Sequence, residues 1–187
     1  MKDISLHLMD IAQNSIAAGA DRITISMRIL DEPERLMVEI TDNGRGMDPE
    51  FLKEVADPFK TSRTTREVGL GIPLLKQSAE MAGGDFSIES EPFKGTKVNA
   101  SFEINHIDRI PLGDIAETAG LLIKANPNIS WLIHFTSPDN EFIMDTDEIK
   151  RHLEGVPIED NNVLEWIQNT INNGVQSVFG GVLDEVG

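Results

Sequence analysis

Three short stretches hold residue types whose spacing could do chemistry. In DIAQNS, Asp10 and Asn14 lie four apart, so a helix sets a carboxylate and an amide on one face, away from its apolar stripe, with His7 on that face too. Such a pair can hold a divalent cation and a water, although the polar face of an ordinary amphipathic helix looks the same. In LMVEITDNGRGM, Asp42 ends an apolar run and Gly44 and Gly46 follow. A strand-end carboxylate accepts hydrogen bonds and can read an amino group such as adenine N6, and glycines leave room for a flat ring against the backbone. Taken alone, the pattern reads more simply as a tight turn with an acidic flank. In KTSRTTR, three cations (Lys60, Arg63, Arg66) and four hydroxyls, Thr61 among them, crowd into seven residues, and Gly69, Leu70 and Gly71 then open a helix. Backbone N–H groups at a helix start, with cations nearby, form a cradle for phosphate. The P-loop spacing GxxxxGK[ST] is absent.

The elements that must position these groups follow from periodicity. Residues 4–18 predict a helix with Leu8, Ile11, Ala12, Ser15 and Ile16 on one stripe, closed by Gly19. Residues 22–30 alternate as a half-buried strand, 31–35 turn, and 36–42 return. Asp48-Pro49-Glu50 starts a helix that ends near Ala56. Residues 57–71 have no period and read as a loop, 72–82 as a helix stopped by Gly83-Gly84, and DFSIES and TKVNASFEI as strands joined by EPFKG. Asp108 to Pro111 mark a boundary. Beyond it come a helix (112–125), a hairpin (WLIHFTS, PDN, EFIMD) and helices over 145–154 and 160–179. Val163, Trp166, Ile167, Thr170 and Ile171 give the last helix one packed face. Trp131, Phe135, Phe142 and Trp166 are expected in the core, and His134 in the core or at a strand edge.

The 187 residues contain no cysteine, so disulfides and thiolate metal sites are excluded. No apolar run approaches the roughly 20 residues of a membrane span, and a signal peptide is not expected where Asp3, His7 and Asp10 interrupt the start. A cytoplasmic protein is the expectation. The net charge is −16, with 14 acids and 4 bases in residues 108–187. That balance argues against nucleic acid as a direct partner. The acids at 139–148 lack the spacing and the loop glycine of an EF-hand.

Each chemical stretch is ambiguous alone, but their order is not. DIAQNSIAAGA (10–20), DNGRGM (42–47), DPFKTS (57–62), GLGI (69–72) and GGDFSIESEPFKGTKV (83–98) together resemble the ATP-binding fold shared by gyrase, Hsp90, histidine kinases and MutL, the GHKL superfamily. The resemblance implies an α+β fold: a two-layer sandwich whose mixed, mostly antiparallel sheet carries helices on one face. Residues 1–107 would form the ATP-binding domain. Residues 108–187 would form a small acidic α/β appendage for docking a partner. ATP and Mg²⁺ are the implied cofactors. Asn14 would coordinate Mg²⁺ and Asp10 would stand at the general-base position. Asp42, Gly44, Gly46 and Met47 would bind adenine, with Thr96 supporting the pocket. Phe59, Lys60, Thr61, Arg63 and Arg66 would form a lid over the phosphates, which Gly69, Leu70 and Gly71 would contact.

The opening helix is most similar to the mismatch-repair and gyrase branch, where the acid is usually Glu rather than Asp10. From DPFKTS onward the sequence is most similar to histidine kinases, with Glu67 where a glycine is usual. A complete histidine kinase carries its phosphoacceptor His on a two-helix segment ahead of the ATP domain. Here that domain opens near residue 3, so the acceptor is expected on a separate protein. The resemblance therefore implies a stand-alone kinase or ATPase in signalling, similar to histidine kinases or anti-sigma-factor kinases. The alternative is an ATP-gated binding module with little turnover. A clamp ATPase of the mismatch-repair kind fits less well. A homodimer is left open.

Overall fold

The computed structural model describes residues 3–57 and 70–183. Helix α1 (Ile4–Ala17) begins where the Asp3 carboxylate accepts the Leu6 N–H, and it buries Ile4, Leu8, Ile11 and Ala12. Strands β1 (Arg22–Asp31) and β2 (Glu34–Asp42) form a hairpin, joined by a turn shorter than 31–35. Helix α2 (Pro49–Val55) starts on Asp48, whose carboxylate accepts the Glu50 and Phe51 N–H groups. Helix α3 (Gly71–Met81) leads to a second hairpin, β3 (Phe86–Glu91) and β4 (Gly95–Glu103). Then come α4 (Ile115–Ala125), which starts three residues later than the sequence suggested, β5 (Ser130–Thr136), β6 (Glu141–Asp145), α5 (Thr146–His152) and α6 (Asn161–Phe179).

Among the described residues six strands make one sheet in the order β3-β4-β2-β1-β5-β6. Every pairing is antiparallel except β1 with β5, which is parallel. The sequence boundary near residue 108 therefore separates the chain in order, while the sheet runs straight across it. The register aligns apolar positions over four strands: Ile25 lies opposite Ile40 and Ile133, Met27 opposite Val38 and Phe135, and Ile40 in turn opposite Val98. Because side chains alternate along a strand, this alignment makes one continuous apolar face. Its residues are buried, while Ser26, Glu39 and Asn99 on the other face are half-exposed. The fold is thus the mixed sheet with helices that the sequence implied.

Two expectations need correction. Helix α6 turns inward Leu164, Ile167, Ile171, Gly174 and Val178, so its buried stripe is rotated from the one expected, and Trp166 stands 54 % exposed. The reason is tertiary. Phe142 stacks on Phe135 with ring centroids 5.4 Å apart, and a Cβ on Gly174 would fall 2.5 Å from the Phe142 ring. Only the glycine-bearing face can approach the sheet there. His7 is the second case: it is buried, with Nε2 3.3 Å from the Ser78 hydroxyl of α3, so it sits between helices rather than on an open polar face.

Candidate functional site

A cleft of about 320 Å³ lies between α1, the adjoining ends of β2 and β4, and α2. Among its lining are Asn14, Ser15, Asp42, Gly46, Met47 and Thr96. The ladder explains part of this convergence, because Asp42, the last residue of β2, lies opposite Thr96 at the start of β4.

Asp42 is 9 % exposed and tightly held. Its Oδ2 accepts the Ser15 hydroxyl at 2.6 Å, and its Oδ1 accepts the Gly44 N–H at 2.9 Å. An ionised carboxylate has about four lone-pair sites, so two fixed donors orient it and leave capacity for a ligand donor. Ser15 is a cleft residue that the sequence reading placed in the core stripe alone. The available signal was its chemistry, since a hydroxyl inside an apolar stripe needs a partner. Ser90 was missed as well. Its hydroxyl accepts the Met47 N–H at 2.8 Å, donates to the Gly95 carbonyl at 3.0 Å and lies 2.9 Å from the Thr96 hydroxyl, so it ties Met47 to the strand carrying Thr96.

Asn14 lines the same cleft, and its buried Nδ2 has no hydrogen-bond partner among the described residues. Buried polar groups are nearly always satisfied, and an unmet one in a cleft wall marks a place for a ligand. Asp10, one turn earlier, is half-buried, and burial pushes its carboxyl above the ordinary aspartate range. It is pressed against the start of α3: a Cβ on Gly71 would fall 2.7 Å from the Asp10 Cβ. Asp10 is outside the cleft lining proper.

The glycines serve a purpose the sequence did not reveal. A Cβ on Gly44 would meet Ala18 at 2.9 Å, and one on Gly46 would lie 1.9 Å from the Glu91 carbonyl oxygen. Gly46 also has φ +67°. Their missing side chains first admit close approach by the protein's own chain. Leu70 is exposed at the N-cap of α3 and makes no side-chain cap, so the first N–H groups of that helix are not satisfied by one. Phe59, Lys60, Thr61, Arg63, Arg66 and Gly69 lie outside the described residues. Among the described residues no three His, Asp or Glu side chains gather as a metal cluster, and no helix is long and apolar enough to cross a membrane.

The cleft thus sets a buried, oriented carboxylate at a strand end beside a helix amide whose nitrogen has no partner among the described residues. Residues 2–106 match the family described as histidine kinase-, DNA gyrase B-, and HSP90-like ATPase. The chain belongs to that family. It is similar to Sporulation kinase D of Bacillus subtilis (strain 168), 31 % identical over 100 residues, covering 52 % of this chain and 19 % of the kinase. It is also similar to Sensor protein DegM of Bacillus sp. (strain B21-2), 32 % identical over 97 residues, covering 52 % of this chain and 26 % of that protein. The chain thus spans about a quarter or less of these relatives' length. In fold it is similar to the Aquifex aeolicus MutL ATPase domain complexed with ADP, with a TM-score of 0.54 at 15 % identity, covering 82 % of this chain and 68 % of that one. That coverage reaches past residue 106, so the shared fold includes part of the C-terminal region.

Proposed function

We propose that the cleft binds MgATP and that the chain is a kinase-like ATPase that transfers phosphate to a separate protein. The observation that carries this reading is the grouping of Asp42, Ser15 and Asn14: a buried carboxylate with spare acceptor capacity stands in one cleft with an amide whose buried nitrogen has no partner among the described residues. The donor set fits the ligand. Asp42 would accept the adenine amino group, with Met47 and Thr96 beside the ring. The Asn14 carbonyl oxygen suits Mg²⁺ and its nitrogen suits a phosphate oxygen. Asn14 would be a lone protein ligand, with phosphates and waters completing the shell, as is usual for Mg²⁺. The bound ion would neutralise charge on the transferring group. Asp10 would receive the acceptor's proton, and its raised pKa favours that task.

A second reading, a nucleotide-gated binding module with slow turnover, is favoured by Asp10. It is one methylene shorter than the usual Glu and lies against Gly71 outside the cleft lining. A base misplaced by about 1 Å can cost roughly 10²-fold in rate. Incubation with radiolabelled ATP and cell extract separates the two: label on a second protein supports transfer, and binding without label or phosphate release supports gating. Asp42→Asn should weaken adenine-nucleotide affinity by about 1.5–3 kcal/mol, roughly 10- to 150-fold, in titration calorimetry. Unchanged affinity would remove the adenine assignment and with it both readings.

A further inference from the structure

The two edges of the sheet are finished differently. On β3 the exposed side chains include Glu89 and Glu91, charges that discourage another strand from pairing. On β6 Glu141 is exposed as well, but it is drawn to His134 at 2.7 Å, and the middle of the strand presents Ile143, 57 % exposed. Beside it lies a groove of about 570 Å³, floored by Met144, Ile149, Leu153, Val163 and the open Trp166.

Ile143, Met144 and Asp145, three consecutive residues of β6, all line that groove. Successive strand side chains point to opposite faces, so a cavity touching three in a row runs along the strand's edge and not over one face. Among the described residues β6 pairs only with β5, so alternate N–H and C=O groups on its outer side have no sheet partner. The charged side chains in the lining are Asp145 and Glu148. Asp145 accepts the Asp147 N–H, Glu148 is exposed, and the remaining titratable group, His152, has its ring bonded to the Glu148 carbonyl.

We propose that this edge receives an extended segment of a partner protein, added to the sheet as a seventh strand beside β6. Its apolar side chains would lie on the Trp166 floor and its Lys or Arg side chains near Asp145 and Glu148. Backbone pairing gives such a strand its affinity and the pockets give it specificity. A second copy of this chain fits poorly, because it would bring the same carboxylates face to face. An amphipathic helix would cover the apolar floor and leave the β6 backbone unmet. The proposal stands apart from the nucleotide reading, since it uses none of the cleft residues.

The test uses the intact chain and the synthetic peptide Lys-Val-Lys-Ile-Lys-Val-Lys-Ile. Three comparison peptides accompany it: one with Glu for Lys, one N-methylated at alternate residues, and one with the same composition rearranged to helical period. The lysine peptide should bind saturably in calorimetry and slow amide exchange across Glu141–Asp145. Affinity should fall about tenfold or more for all three comparison peptides, and likewise for Trp166→Ala and Glu148→Lys. Both variants should keep their thermal shift with MgATP, so loss of peptide binding is separable from loss of the nucleotide site. No saturable binding by the lysine peptide, or equal binding by the N-methylated or helical peptide, would overturn strand addition. So would a dimer in sedimentation that Trp166→Ala dissolves, which would assign the edge to a second copy.

Discussion

Ser15 and Asp42 show how one contact gives meaning to two residues. The 2.6 Å hydrogen bond joins positions 27 apart in sequence. Asp42 was singled out in the sequence because it ends an apolar run, although that pattern alone reads as a tight turn and only the order of the motifs gave it an expected role. Ser15 was not, because no local pattern says which distant group its hydroxyl meets. Ser15→Ala should lower adenine-nucleotide affinity less than Asp42→Asn, since Gly44 still holds the carboxylate, and calorimetry of the two variants side by side checks the order. His7 carries a second residue-scale prediction. Burial lowers its pKa from 6.5 to about 4, so the folded protein holds it neutral while the unfolded chain protonates it. Between those values the unfolded state binds more protons, so stability falls as pH drops from about 6.5 toward 4, by up to about 1.4 kcal/mol per pH unit. The raised pKa of Asp10 acts in the opposite sense above its ordinary value of 3.8, so the His7 contribution is read as a difference. Denaturation of His7→Gln should show a flatter acid limb than the native chain over that window.

At the scale of elements, the site depends on backbones that meet without side chains between them. Gly46 has φ +67° and no room for a Cβ beside the Glu91 carbonyl. Gly46→Ala should therefore destabilise the fold by about 1–3 kcal/mol, more than a turn glycine with open space around it such as Gly155, and urea midpoints would read the contrast. The sequence reading gave these glycines a role in making room for a ring, and it did not reveal their place between chain segments, because close approach of two segments has no local signature. Arg109 is a comparable tie. Its buried guanidinium donates to the carbonyls of Ile104, Ile110 and Leu183, fastening the connection after β4 to the segment that follows α6. Arg109→Met would strand those carbonyls, and a loss of about 2–4 kcal/mol is expected in the same measurement.

For the whole molecule, the decisive pairing is β5 on β1. It places Trp131, Ile133 and Phe135 beside Ile23, Ile25 and Met27, and α4 packs against α1, the helix that carries Asn14. A fragment ending at residue 107 would expose the inner edge of β1 and the flank of α1. It should aggregate or unfold well below the melting temperature of the full chain, and retention of the full-chain melting temperature would argue for an independent first domain. Periodicity and capping had already determined the elements and their order, because these depend on neighbours a few residues apart: Asp48-Pro49 starts α2 wherever it sits, and alternation makes β1 a strand in any fold. The motif order likewise determined the family. Tertiary structure alone decided that the C-terminal hairpin joins the first sheet, that α6 turns Gly174 inward and Trp166 outward, and that Ser15 grips Asp42. Each of those depends on which surfaces meet across long stretches of chain, and free energy of burial and register, not local sequence, selects among the surfaces that could.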